Sequence, residues 1–207
     1  MLRLTCLVLV FAVPAVADEP PAVDAAPARL GVRQFPDAAM IDGPPSAREL
    51  IDAREEFEAR YPGVLARGRT SAGAAVLADV LIDEAAAEAD RAVKWLMLAE
   101  ARRMAVASGN AAAVDRAILQ ASATYEFDAI DEELRSLKEI PVRLLAPQRA
   151  AAFAEVAEKL AGRAESDGRI NEAVTALDLA IRGWQRAGLV PAARKAAVRY
   201  QHLTASP

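Results

Sequence analysis

Residues 95–122 read WLMLAEARRMAVASGNAAAVDRAILQAS, and their spacing decides the fold. Leu98, Ala101 and Ala105 recur every three or four positions and lead to Gly109. Asn110 follows, and Val114, Ala117, Ile118 and Ala121 then recur at i, i+3, i+4 and i+7. A period near 3.6 on both sides of a Gly-Asn pair predicts two amphipathic helices joined by a tight turn. Gly109 suits the left-handed C-terminal position, and Asn110 suits the cap of the next helix. The centre of the first helix (Trp95-Leu96-Met97-Leu98-Ala99) is apolar almost all round, so neighbours should cover it on more than one side.

The same punctuation runs in both directions. Upstream, Ser46-x-x-Glu49 is a capping box, and Leu50, Phe57 and Tyr61 follow until Pro62-Gly63 stops the run. The next helix spans about 71–87 with Val76, Leu77, Val80 and Leu81 as its expected stripe, and the helix holding Trp95 spans about 88–107. Downstream, Phe127, Ile130, Leu134 and Leu137 form a stripe that Pro141 ends. Residues 141–147 connect two halves, 46–140 and 146–205, and Pro147 suits a first helical turn. A sixth helix then faces inward through Phe153, Val156, Ala157, Leu160, Ala161 and Ala164. A seventh does so through Ala173, Leu177, Ala180, Ile181 and Trp184, with Ile170 at its start. An eighth carries Ala193, Ala196, Tyr200 and Leu203. No segment alternates apolar and polar residues long enough to form a strand, so the fold class is all-α.

The N-terminus has another character. Arg3, the apolar run Leu4 to Val13 and Ala15-Val16-Ala17 have the layout of a secretory signal, cleaved between Ala17 and Asp18. The run is too short for a membrane span, which needs ~20 residues. Residues 18–45 hold six of the twelve prolines and show no period, which predicts an extended, mostly disordered tether. The short apolar pieces at Phe35 and Met40-Ile41 interrupt it. The organisation is thus signal peptide 1–17, linker 18–45 and helical domain 46–207. The expected location is the periplasm or cell envelope, or outside the cell, with no transmembrane span once the signal is removed.

Composition narrows function by exclusion. The single cysteine, Cys6, lies inside the signal, so the exported chain has no disulfide to staple it and must rely on apolar packing. Net charge is −4, aromatics make up 5%, and no basic stripe stands out, so nucleic acid is not an expected partner. His202 is the only histidine, near the C-terminus, and no sequence motif marks it as a general base. The acidic groups Asp83-Glu84, Glu88, Asp90 and Asp131-Glu132-Glu133 lack calcium-loop spacing and read as solvated faces. Ser136-Leu137-Lys138 misses the S-x-x-K spacing of a serine–lysine nucleophile. No metal, cofactor or catalytic set is expected. Trp95 reads as core. Trp184, with Arg182 and Arg186 on the same helix, is the candidate partner-binding set, although its unbroken stripe with Leu177, Ala180 and Ile181 favours packing.

The motif around Gly109 repeats in Leu177-x2-Ala180-x3-Trp184-x3-Gly188 and in Leu160-x3-Ala164-x3-Gly168. Ala157-x2-Leu160-Ala161-x2-Ala164-x3-Gly168, followed by Ala173-x3-Leu177-x2-Ala180, resembles a tetratricopeptide repeat. It departs from that family in lacking the first aromatic and the terminal proline, where Gln185 stands. The resemblance implies stacked antiparallel helical hairpins, here a solenoid of seven to eight helices whose concave face binds peptides or proteins. Residues 64–140, through Val76-Leu77-x-Asp79, Trp95-Leu96-Met97-Leu98-x-Glu100-Ala101 and Tyr125-x-Phe127-Asp128, are similar to an alanine-rich helical segment of exported, planctomycete-type proteins of unknown function. That similarity implies export and helices but no reaction. The expected function is a non-catalytic interaction or scaffold domain that binds a protein or peptide in a helical groove. The alternatives are an enzyme acting on cell-wall glycan through two carboxylates, which a buried acid pair in a pocket would favour, and a self-associating envelope protein.

Overall fold

The computed structural model describes residues 43–64 and 70–205, apart from the side chains of residues 71 and 72. The proposed cleavage-site residues Ala15, Ala17 and Asp18 lie outside the described residues, as do Phe35, Met40 and Ile41. The described residues form eight α-helices and no strand. These are α1 (Ala47–Arg60), α2 (Ser71–Ala87), α3 (Arg91–Ser108), α4 (Ala111–Ser122), α5 (Ala129–Glu139), α6 (Pro147–Ser166), α7 (Ile170–Ala187) and α8 (Val190–Ala205). A single 3-10 turn, Val142–Leu144, stands between α5 and α6.

Local chemistry sets the boundaries. The Ser46 N–H donates to Glu49 Oε2 at 2.7 Å and the Glu49 N–H donates to Ser46 Oγ at 3.4 Å, completing the capping box. Asp90 Oδ1 accepts from the N–H groups of Ala92 and Val93, both at 2.9 Å, so α3 begins at Arg91 rather than at Glu88. A short acidic side chain competes for the first free N–H groups and ends the preceding turn there. Asn110 Oδ1 accepts from Ala113 N–H at 3.2 Å, and Asp128 Oδ1 from Asp131 N–H at 2.9 Å. Gly109 has φ +69°, and a Cβ there would lie 2.6 Å from Leu145 Cδ2, so the turn needs glycine for its backbone and for its space. Pro147 occupies the first turn of α6.

Among the described helices, each packs on near neighbours in the chain. α2 lies on α3 and α4, α3 on α1, α4 and α5, α4 on α5 and α6, α5 on α6 and α7, and α7 on α6 and α8. The contacts α4–α6, α5–α6 and α5–α7 cross the 141–147 connector. Neighbours on several sides cover α3, as its apolar centre requires, and Val93, Met97, Leu98, Ala101 and Met104 are buried. The inward stripes of α4 and α6 are buried as their spacing implies.

On α2 the buried line is different. Ala74, Ala78, Leu81, Ile82 and Ala85 face the core, while Val76 is 65% exposed and Val80 is exposed too. This helix is apolar on two sides, and the close approach of α3 and α4 selects the alanine side, where backbones can come nearer. Ile170 is also exposed, at the first residue of α7. The closest seam joins α6 and α7. A Cβ on Gly183 would stand 2.8 Å from Ala154 Cβ, 3.0 Å from the Ala150 carbonyl oxygen and 3.1 Å from Phe153 Cδ1.

Candidate functional site

The residues of the expected partner-binding set do not converge. Arg182 and Arg186 lie one turn apart on α7, while Trp184, two residues from each, lies on the opposite side. The Trp184 ring is 7% exposed and joins Ala154, Ala193 and Ala196 in a small core between α6, α7 and α8. Its indole N–H donates to Glu158 Oε1 at 2.8 Å. Arg182 pairs with Asp178 one turn back, and Arg186 Nε donates to the Leu145 carbonyl at 2.8 Å. In this arrangement Trp184 packs the seam, and Arg186 ties α7 to the connector.

Trp95 is half-buried rather than fully enclosed. It meets Tyr125 and Phe127 edge-on, at centroid distances of 4.9 and 5.5 Å. With Leu98, Ile118 and Phe127 it walls an apolar pocket of 260 Å³, at whose rim Arg102 Nη1 stands 2.6 Å from Glu132 Oε1. Burial pushes the neighbouring Tyr125 hydroxyl up to about 12, and that hydroxyl donates to the Arg91 carbonyl. Ser136 is buried, donates to the Glu132 carbonyl and accepts from Arg102 Nη1 at 2.9 Å.

A larger groove of 780 Å³ runs between α4, α5 and α6. Leu119, Ala129 and Ile130 supply apolar wall, and Asp115, Glu133 and Arg163 meet in its lining. The acidic block 131–133 is therefore not uniformly solvated: Glu133 is 1% exposed. Its Oε2 accepts from Arg163 Nη2, and that nitrogen also stands 3.2 Å from Asp115 Oδ1, a charge contact not aligned as a hydrogen bond. Glu133 Oε1 and Asp115 Oδ1 are both buried without a hydrogen-bond partner.

Burial pushes the Glu133 carboxyl up to about 7. The Arg163 guanidinium pulls it down, and Asp115 beside it pushes it up again. Desolvation dominates because one guanidinium must serve two acids. Spacing carried a signal for this site: Ile130, Glu133, Leu134 and Leu137 stand at i, i+3, i+4 and i+7, which puts Glu133 on the apolar face of α5.

Among the described residues no cluster of three or more His, Cys, Asp or Glu is arranged to hold a metal, and no helix is long and apolar enough to cross a membrane. Comparison with protein families, with curated proteins and with solved structures finds no match to this chain.

Proposed function

We propose that this chain is an exported, non-catalytic scaffold whose helices stack as a tetratricopeptide-like solenoid and bind a protein or peptide along the α4–α6 groove. The observation that carries the reading is the packing pattern, in which the main contacts among the described helices join near neighbours in the chain. Such stacks hold grooves between successive hairpins and serve as extended recognition surfaces. The 780 Å³ groove, with Leu119 44% exposed in its wall, offers apolar area beside charge. Export rests on the Arg3–Ala17 leader, and the family resemblance on the Ala157–Ala180 pattern. Crosslinking and mass spectrometry in the native host would identify a neighbour, and binding of that purified partner would then be compared in wild type and Leu119→Glu. At least a tenfold loss in the variant is expected (~1.4 kcal/mol). Equal binding rejects the groove.

The Asp115–Glu133 pair favours a second reading, an enzyme that acts on cell-wall glycan through two carboxylates. Glycosidic chemistry needs two acids ~5–10 Å apart with the scissile bond between them. Here Arg163 Nη2 contacts both acids, and the two carboxyls lie within hydrogen-bond reach of each other. Release of reducing sugar from purified peptidoglycan, lost in Glu133→Gln, would establish this reading over the first.

A further inference from the structure

The strongest unexplained feature is the pair of buried, unpartnered oxygens at the groove, Glu133 Oε1 and Asp115 Oδ1. Buried carboxylate oxygens without donors are costly, the more so when charged. Arg163 Nη2 donates to the other Glu133 oxygen and stands 3.2 Å from Asp115 Oδ1 without hydrogen-bond alignment, and Arg163 Nε is itself buried without a hydrogen-bond partner. Around them the groove holds three acids, Asp115, Glu133 and Asp167, against two bases, Lys159 and Arg163, so with Glu133 ionised its lining carries one net negative charge. A neutral hydroxyl would satisfy the hydrogen bonds but not that charge. A bare divalent ion would want six or more oxygen ligands, and among the described residues no cluster of three or more His, Cys, Asp or Glu is arranged to hold one. A primary ammonium has the right charge, three donors and no acceptor. Leu119, Ala129 and Ile130 provide the apolar wall that a methylene stem needs.

We infer that the groove between α4, α5 and α6 receives the side chain of a lysine from a partner polypeptide, its ammonium donating to Glu133 Oε1 and Asp115 Oδ1. This rests on the scaffold reading and specifies what its partner presents. A proton on Glu133 is the natural competitor of the lysine. Of the other charges nearby, Lys159 and Asp167 stand exposed in the groove lining. Arg102 from α3 pairs with Glu132, and Arg169 at the start of α7 pairs with Asp128 and Glu172. Asp115 of α4 and Arg163 of α6 are the groups facing Glu133.

The test uses the purified exported chain with labelled Leu and Ile methyl groups. It is titrated with acetyl-Ala-Ala-Lys-Ala-Ala-amide, with the norleucine analogue and with n-pentylammonium. Saturable shifts at Leu119 and Ile130 are expected for the lysine peptide and not for the norleucine one. Binding should be about tenfold or more weaker at pH 5.5 than at pH 8, because the proton then occupies Glu133. Glu133→Gln should abolish it, with the fold checked by circular dichroism; if that variant does not fold, Asp115→Asn takes its place.

Equal shifts from both peptides overturn the charge requirement while leaving a peptide groove in place. No shift from the lysine peptide, or undiminished binding in the folded variant, overturns the inference itself. Pentylammonium binding as tightly as the peptide overturns the assignment to a polypeptide and points to a free amine. The scaffold reading fails separately, if a partner found in the host binds wild type and Leu119→Glu alike.

Discussion

Gly183 of α7 rests against Ala154 of α6 so closely that a Cβ added at 183 would lie 2.8 Å from the Ala154 methyl carbon. Glycine inside a helix is normally unfavourable by ~1 kcal/mol relative to alanine. Here it lets two backbones approach where any side chain would also meet the Ala150 carbonyl at 3.0 Å and the Phe153 ring at 3.1 Å. Gly183→Ala should therefore destabilise despite its better helix propensity. Overpacking of this kind costs ~1–3 kcal/mol, and the propensity gain offsets part of it, leaving a net loss of up to about 2 kcal/mol. Denaturant unfolding gives the value, and a stability gain would show that the seam opens at little cost.

Burial and Asp115 outweigh the pull of Arg163 on Glu133, whose carboxyl sits at about 7 against an ordinary 4.5. Between those values the folded chain keeps a proton that the unfolded chain has released. Stability should thus be greatest near or below pH 4.5 as far as this group is concerned, and should decline as pH rises through about 7. The full difference is on the order of 3 kcal/mol. Glu133→Gln should flatten this decline and be the more stable protein at pH 8. Parallel urea titrations at pH 5.5 and pH 8 measure both, and an unchanged slope in the variant would reject the assignment.

Arg163 pairs with two acids, one of them fully buried, while remaining partly exposed itself. Removing one partner from a buried charge pair leaves the other uncompensated and costs ~3–5 kcal/mol. Solvent at the Arg163 side chain places Arg163→Met nearer the lower end, about 2–3 kcal/mol at pH 8. The loss should shrink on acidification, as Glu133 takes up a proton instead. An equal loss at both pH values would mean that Arg163 acts by packing alone.

Trp184 fills a seam and spends its N–H on Glu158 at 2.8 Å. Trp184→Ala should cost ~3 kcal/mol or more through the cavity it leaves. Trp184→Phe retains most of the ring volume and should cost about 1–2 kcal/mol for the lost hydrogen bond and the smaller ring. If both variants unfold like the wild type, the ring is not part of the core. Tryptophan fluorescence compared with circular dichroism separates a local change from global loss.

Helix order and many ends were legible because small polar residues and glycine act locally. Ser46, Asn110, Gly109 and Pro147 do their work within one turn of themselves, so short stretches of sequence suffice to place them. Stripes on α4 and α6 were legible because only one face of each is apolar. On α2 the sequence offers two apolar faces, and contacts with α3 and α4 select Ala74, Ala78 and Ala85 over Val76 and Val80. That choice depends on distances between helices far apart in the chain. Glu133 was masked for another reason. Its neighbours Asp131 and Glu132 make it look like part of a solvated acidic run, although its spacing with Ile130 and Leu137 places it inward. Nothing local to Asp115 or Arg163, 18 and 30 positions away, announces that they meet it.

Helices that lean on near neighbours alone give the molecule no central keystone. The main support of α8 is α7, with further contact to α6 where Ala193 and Ala196 join Ala154 and Arg199 reaches Glu165 at 2.8 Å. It can peel off while Leu177 and Phe153 stay enclosed. Unravelling should then proceed like an opening zip from that margin, and amide exchange should slow progressively from α8 inward. A partner seated at α4–α6 would grip the last part to let go.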